Sequence, residues 1–309
     1  MAIVETPAAR DAETAVIPSV RLADYLELTK PRIAAMALLT VAVGYLLGSP
    51  VELRLDFLVH AILGAGFVAA GGSVLNHWWE RRVDGLMLRT ANRPLPAGRL
   101  PAAEAFALGI SLAVGGVAYL AFTLPNPAAA ITAAITCLLY VAVYTPLKRI
   151  TCWNTVIGAI PGALPPVIGW AAATGGIGWG ALALFAILFV WQLPHFYSIA
   201  WLHREDYARG GMRMLPVVDS RDGPWTGRAT VASCLVLLLV TAAPYVAGLV
   251  GGLYLVASLP LAIWFLIRAI DFAQSPNLLT ARKVLRGSLI YLTGVMVVLV
   301  IDGVLPRYL

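Results

Sequence analysis

Charge is scarce in this 309-residue chain, where Asp, Glu, Lys and Arg together make up 12%. That scarcity excludes an ordinary soluble domain, in which about a quarter of residues are charged. Cysteine is scarce too. Cys137, Cys152 and Cys234 show no short pairing or metal-ligand spacing, and their odd count excludes a complete disulfide framework. They read as small apolar residues. The tail before Lys30 has no continuous apolar core, so it is not a secretory signal peptide, and Glu5, Asp11, Glu13, Asp24 and Glu27 distinguish it from acid-poor transit peptides. The expected setting is a bacterial plasma (inner) membrane rather than an organelle.

What the chain has in excess is apolar length. Hydrophobic residues make up 60% of it. Apolar runs at about 33–49, 55–79, 103–123, 127–145, 154–172, 179–200, 229–250, 252–270 and 287–304 are each long enough to span a bilayer. Only helices or closed barrels satisfy their backbone in lipid, and nine such runs predict an all-α, polytopic membrane protein. All but Arg54 and Arg307 of the 22 basic residues fall in the N-terminal tail or in connections 2–3, 4–5, 6–7 and 8–9. The positive-inside rule then predicts a cytoplasmic N-terminus and, with nine spans, Leu309 outside. Membrane orientation accounts for the net charge of +6 without a nucleic-acid partner. Leu22, Tyr25 and Leu26 share one face of a short helix before the first span, which suits a surface anchor.

The two longest connections, 80–102 and 201–228, lie on the same side and mix acids with arginines. In the first, Asn76, Glu80 and Asp84 are spaced by four and share one helix face. Three oxygen-bearing groups at a membrane edge suit a hard cation such as Mg²⁺, which is commonly held by one or two carboxylates plus substrate phosphates. Spacing alone equally allows a solvated helix end in which the acids pair with Arg81 and Arg82. Arg89 and Arg93 follow before prolines stop the helix, Lys148-Arg149 adds charge from connection 4–5, and Glu205-Asp206-Tyr207 sits among Arg204, Arg209 and Arg213. Guanidinium forks beside carboxylates suit a metal diphosphate. They also serve topology alone. In span 6, His195 follows Pro194, and an intramembrane ionisable residue is either a functional group or one bonded to a neighbouring helix. If the helix runs straight, His195 lies about 16 Å deeper than Asp206 on nearly the same face.

These residues carry a resemblance. Asn76-x3-Glu80-x3-Asp84 with Met87, Arg89-Thr90 and Arg93-Pro94-Leu95 resembles the first acidic motif of the haem-farnesylating branch, the protohaem IX farnesyltransferases, of the UbiA superfamily of intramembrane prenyltransferases. Thr29-Lys30-Pro31-Arg32, Tyr144-Thr145-Pro146-Leu147-Lys148-Arg149, Asn154, Gly158 through Gly162 to Pro165-Pro166, Gly169-Trp170 and Pro194-His195-Phe196 match further. So does Asp206-Tyr207 followed by Gly211 and Met214-Leu215-Pro216-Val217-Val218. The match covers about residues 25–220. Two departures are visible: Glu80 stands where many relatives have Asp, and Gly210 breaks the Asp-x3-Asp of the branches that use aromatic acceptors. Glu205 is then a candidate supplement to Asp206.

The resemblance implies a UbiA-like bundle with a cytoplasm-facing cavity, formed by residues 31–309 behind a tail at 1–30. It implies Mg²⁺-assisted ionisation (Mn²⁺ being an alternative ion) of farnesyl diphosphate and transfer of its farnesyl group to a vinyl group of haem b, a substrate rather than a cofactor. Asn76, Glu80, Asp84 and Asp206 would hold metal, with Glu80, Asp84 and Asp206 the catalytic acids. Arg89, Arg93, Lys148 and Arg149 would hold diphosphate. His195, Tyr144 and Tyr207 would line the acceptor site. Membrane lipid and a downstream haem-modifying membrane enzyme are the implied partners. The rivals are a prenyltransferase using an aromatic or quinone-precursor acceptor and a transporter of a lipidic or anionic solute. Transporters place polar groups near the midplane, whereas these acids sit at one face.

Overall fold

The computed structural model describes residues 22–49, 53–220 and 222–307. The tail before Leu22, with Arg10 and Arg21, lies outside them, as do Arg221 and Leu309. Every described regular element is helical. A short α1 (Leu22–Leu28) leads into α2 (Pro31–Gly48), α3 (Leu55–Asp84) and α4 (Ala102–Thr123). Span four is composite: α5 (Ala128–Leu138), a π-helical stretch (Leu139–Tyr144) and α6 (Thr145–Leu147). Span five is α7 (Asn154–Ala163) and α8 (Pro165–Thr174), broken at Leu164 because Pro165 and Pro166 supply no backbone N–H. Then follow α9 (Trp179–Leu202), α10 (Arg204–Arg209), α11 (Leu215–Val218), α12 (Pro224–Val240), α13 (Ala243–Val246), α14 (Gly252–Gln274) and α15 (Leu278–Gly303). Nine helical spans among the described residues are long and apolar enough to cross a membrane. The protein is a multi-pass membrane protein.

Two packing groups build the bundle. Helices α2, α3, α4, α5 and α8 share one apolar cluster, and α9, α12, α14 and α15 share the other. Helices α2 and α8 meet almost backbone to backbone. A Cβ on Gly44 would strike the Pro166 carbonyl, and one on Gly169 would strike that of Val41. Helix α3 has 30 residues and is therefore about 45 Å long. The hydrocarbon core is about 30 Å thick, so an upright α3 exceeds it by roughly three turns.

Cross-connections identify which loops share an end. Arg99 Nε donates to Asp24 Oδ1 (2.7 Å), the Leu88 N–H to Asp206 Oδ1 (3.1 Å), and the Arg213 N–H to the Lys148 carbonyl (2.7 Å). At the opposite end Arg307 Nη1 donates to the carbonyls of Leu47 and Ser49. Among the described residues, the segment at Asp24 and connections 2–3, 4–5 and 6–7 thus share one end, and Arg307 lies at the other. In α1, Leu22 and Leu26 are exposed while Asp24 and Leu28 are buried. The helix is tied down by its inner face and shows leucines outward.

Candidate active site at the charged end of the bundle

The acid stripe occupies the overhanging end of α3. Asn76, Glu80 and Asp84 are all buried, at 1%, 7% and 1% exposure. None pairs with Arg81 or Arg82 among the described residues, so the solvated-end reading is set aside. Arg81 folds back over the Trp78 ring instead. Each member of the stripe takes a hydrogen bond from a cation of another segment. Lys30 Nζ donates to Asn76 Oδ1, Lys148 Nζ to Glu80 Oε1, and Arg93 Nη1 to Asp84 Oδ2, all at 2.8 Å. Burial alone would lower the pKa of Lys148, but Glu80 and the Tyr144 and Tyr140 hydroxyls outweigh it and raise it. Lys30 goes the other way. Burial first, then the like charges of Lys148 and Arg93, bring its ammonium down to about 7.

The π-helical stretch sets one further contact. In an i+5 turn the Thr145 hydroxyl donates to the Tyr140 carbonyl (2.8 Å), and its oxygen accepts from Asn76 Nδ2 (3.1 Å). Thr145 therefore fixes which way the Asn76 amide faces. Sequence reasoning missed both Thr145 and Lys30; a lysine at the mouth of span one, just before Pro31, was the available signal for the second. The Tyr144 ring lies tilted beside that of Tyr140, with Lys148 4.7 Å over it. Gly158 leaves room for that ring, since a Cβ there would overlap it.

A cavity of about 440 Å³ opens beside Glu80, lined also by Trp79, Val83, Thr145, Arg149 and Met212. Asp206 faces a different cavity of about 580 Å³, with Leu88, His203, Arg209 and Asn277 among its walls. Asp206 Oδ1 accepts from the Leu88 N–H and from Arg209 Nη1 (3.0 Å). An apolar plug of Met87, Met212, Met214, Val83 and Tyr207 gives Val83 and Met212 to the first cavity's wall, with Arg89 5.8 Å from the Tyr207 ring. Among the described residues no three His, Cys, Asp or Glu side chains converge as a metal-binding group. The expected quartet of metal ligands is therefore divided: Asn76, Glu80 and Asp84 on one stripe, Asp206 beyond the plug. Glu205 is mostly exposed and sits 3.8 Å from Arg209.

His195 corrects a second expectation. Helix α9 runs through Pro194 but ends at Leu202, and His203 (φ −118°, ψ 22°) turns the chain into α10. The straight-helix depth of about 16 Å therefore does not describe the path to Asp206. His195 Nδ1 is hydrogen-bonded to Ser288 Oγ of α15 (2.8 Å), and its ring stacks on Trp191. His203 lies against Asp206 and Arg89. Burial and the Arg89 charge lower its pKa, while Asp206 opposes them.

Among the described residues the protein is thus an all-helical, multi-pass bundle with a buried acid stripe and facing cations at one end. The UbiA prenyltransferase family profile matches residues 37–293, and the chain belongs to that family. It is 46% identical over 288 residues to the protoheme IX farnesyltransferase of Solibacter usitatus (strain Ellin6076), a match covering 90% of this chain and 98% of that one. It is 44% identical over 279 residues to the protoheme IX farnesyltransferase of Salinibacter ruber (strain DSM 13855 / M31), with the same two coverages. Among solved structures, a digeranylgeranylglyceryl phosphate synthase superposes with a TM-score of 0.76 at 21% identity, covering 92% of this chain and 98% of that one. A UbiA homologue from Archaeoglobus fulgidus bound to DMAPP and Mg²⁺ gives 0.63 at 20% identity, covering 89% and 99%. At such identities the solved structures speak for the fold alone.

Proposed function

We propose that the protein transfers the farnesyl group of farnesyl diphosphate to a vinyl group of haem b, giving haem O and diphosphate. The observation that carries the donor half is the stripe itself: three buried oxygen-bearing side chains, each met by a cation from a separate segment. The acceptor half rests on the relatives, which are named protoheme IX farnesyltransferases at up to 46% identity over nearly the whole chain.

The stripe fits a divalent cation on one specific point. Asp84 Oδ1 is buried and takes no hydrogen bond, and a buried carboxylate oxygen without a partner is costly. Asn76, Glu80 and Asp84 would hold Mg²⁺, as Mg²⁺ accompanies DMAPP in the Archaeoglobus fulgidus homologue, with Asp206 holding a second ion from across the plug. Such an ion supplies Lewis-acid stabilisation of the charge that builds on departing diphosphate. Arg93, Lys148, Arg149 and Arg89 bind the phosphate oxygens and stabilise the same charge through preorganised donors. The farnesyl C1–O bond breaks, the vinyl carbon forms the new bond to C1, and water then adds to the resulting cation with loss of a proton. The apolar walls formed by Trp79, Val83 and Met212 keep stray water from the allylic cation. His195, with Nδ1 held by Ser288, would offer Nε2 to the acceptor, and Tyr144 and Tyr207 would complete the acceptor's surroundings.

In the cell the basic end faces the cytoplasm and the Arg307 end faces outward across the inner membrane, with residues 31–309 forming one catalytic domain. Reporter fusions after Arg99 and at Leu309 check this; an external signal at Arg99 inverts the orientation. Activity is tested by incubating membranes containing the protein with haem b and farnesyl diphosphate. Haem O and diphosphate should appear, vanish with chelator and return with Mg²⁺. Unchanged haem alongside a prenylated aromatic acceptor would move the protein to another branch, and full turnover in chelator would end the ionisation mechanism.

A further inference from the structure

Helix α15 carries its positive charge inside the span. Charge that only sets orientation belongs in the connections between spans. Here Arg282, Lys283 and Arg286 lie within the first few turns of a spanning helix, and all three are exposed. The helix has no acid in its first turn, where the positive end of a helix dipole favours one. No ion pair among the described residues includes any of the three. Topology alone does not account for cations at this depth.

The neighbouring helix completes a patch. Trp264 and Arg268 of α14 lie over Gly287, where a Cβ would come within 3.6 and 3.7 Å of them. Lys283 stands one turn from Gly287 on the same face, and Arg286 adjoins it. The Arg268 guanidinium lies 5.4 Å from the Trp264 ring centroid, and its Nη1 is 3.4 Å from Asp271 Oδ2. Four cations thus share the patch with one carboxylate. Further from the charged end the hairpin turns apolar, with Ile263 and Ile267 of α14 and Leu289 and Ile290 of α15 all exposed.

Depth fixes what such a patch meets. The span runs from Leu278 to Arg307, and Arg307 is bound to the Leu47 and Ser49 carbonyls at the opposite end. Along an upright helix Arg286 lies about 30 Å from Arg307, the thickness of the hydrocarbon core. The two arginines bracket that core. Arg282, Lys283 and Arg286 therefore stand at the level of the headgroups, where tryptophan is also at home, and the apolar strip stands at that of the acyl chains. A zwitterionic headgroup brings its own cation. Only an anionic one neutralises the excess charge of the patch, as basic pockets between spanning helices do with such lipids.

We propose that the α14–α15 hairpin seats one anionic glycerophospholipid. Arg268, Lys283 and Arg286 take its phosphate, Arg282 closes the rim, and its acyl chains lie over the exposed isoleucines and leucine. No covalent bond changes. The seat is separate from the acid stripe and does not depend on the reaction assigned there. By cancelling the repulsion among four cations, the lipid steadies the last two spans against each other.

The test adds phosphatidylglycerol or phosphatidylcholine with identical acyl chains to the purified full-length protein in neutral detergent, and counts bound lipids by native mass spectrometry. The wild type should hold one phosphatidylglycerol about tenfold or more tightly than phosphatidylcholine. Arg282→Gln, Lys283→Gln and Arg286→Gln should each weaken phosphatidylglycerol about fivefold, the equivalent of one basic residue near an anionic surface, and leave phosphatidylcholine unchanged. The triple variant should lose the preference. A control lacking three charges elsewhere at this end, Arg81→Gln/Arg82→Gln/Arg228→Gln, should keep it. Phosphatidylglycerol should raise the melting temperature of the wild type and of this control, but not of the triple variant. If the triple variant does not fold, the three single variants decide. Equal binding of the two lipids by the wild type overturns the proposal. So does an equal loss in the control, which reduces the effect to net charge, or displacement of the lipid by glycerol 3-phosphate, which makes the ligand a free phosphate.

Discussion

The two acid-bearing connections look alike in sequence and behave differently in three dimensions. The first places its oxygens on the rigid end of α3, buried, with a separate cation for each. The second places Asp206 on the six-residue α10, held by the Leu88 N–H and by its own neighbour Arg209, with Glu205 turned to solvent. A long helix can fix several oxygens at once because its register is set far from the site. A short helix behind a turn at His203 fixes one. The first connection is a preorganised cradle, and in the second a single acid, Asp206, is tied to the 86–89 turn by the Leu88 N–H.

This contrast ranks the substitutions. Glu80→Gln and Asp84→Asn should cost most, about a hundredfold or more in the rate of haem O formation, the scale on which removing a preorganised electrostatic group acts. Initial rates in membranes, normalised to inserted protein, measure it; near-normal rates would mean that the cradle is not where ionisation occurs. Asp206→Asn should lower the rate by a smaller factor, about tenfold, while leaving haem affinity intact. A loss equal to that of Asp84→Asn would make the two connections equivalent and erase the contrast.

His195→Ala comes next. It should weaken haem binding severalfold with pyrophosphate binding unchanged, whereas Ser288→Ala, which only releases the ring, should cost about 1 kcal/mol and a lesser part of the haem affinity. Equal losses of both ligands in His195→Ala would return the residue to a purely structural tie between α9 and α15. Smallest of all, Glu205→Gln should change turnover by less than about twofold, since exposed pairs contribute little. A tenfold loss there would show that the second arm closes further than its resting geometry.

What the sequence disclosed follows the same divide. The i, i+4, i+8 stripe was legible because a helix turns spacing directly into a shared face, and all nine spans were legible because lipid demands continuous apolar length. Their ends were less so. Span nine starts at Leu278 rather than near 287, because Arg282, Lys283 and Arg286 lower local hydropathy while Asn277 caps the helix through the N–H groups of Leu279 and Thr280. The turn at His203 left no trace in composition, and Pro194, the visible breaker, is carried within an unbroken α9. Arg93 and Lys148 could be nominated from charge, but they meet acids 9 and 68 residues away, and which acid each meets depends on how the connections fold onto the end of α3. Spacing along a chain carries no information of that kind.

The overhang of α3 has a consequence for traffic. On the proposed reaction one product is a small polyanion and the other a porphyrin that has just become greasier. With Glu80 and Asp84 in the last turns of an upright α3, past the hydrocarbon, the polyanion departs into water directly above the site while the porphyrin slides sideways into lipid. The two exits do not compete. Turnover should therefore follow the mole fraction of haem in the bilayer rather than its bulk concentration, and diluting the membranes with empty lipid should slow the enzyme even when every solute in the tube is held constant.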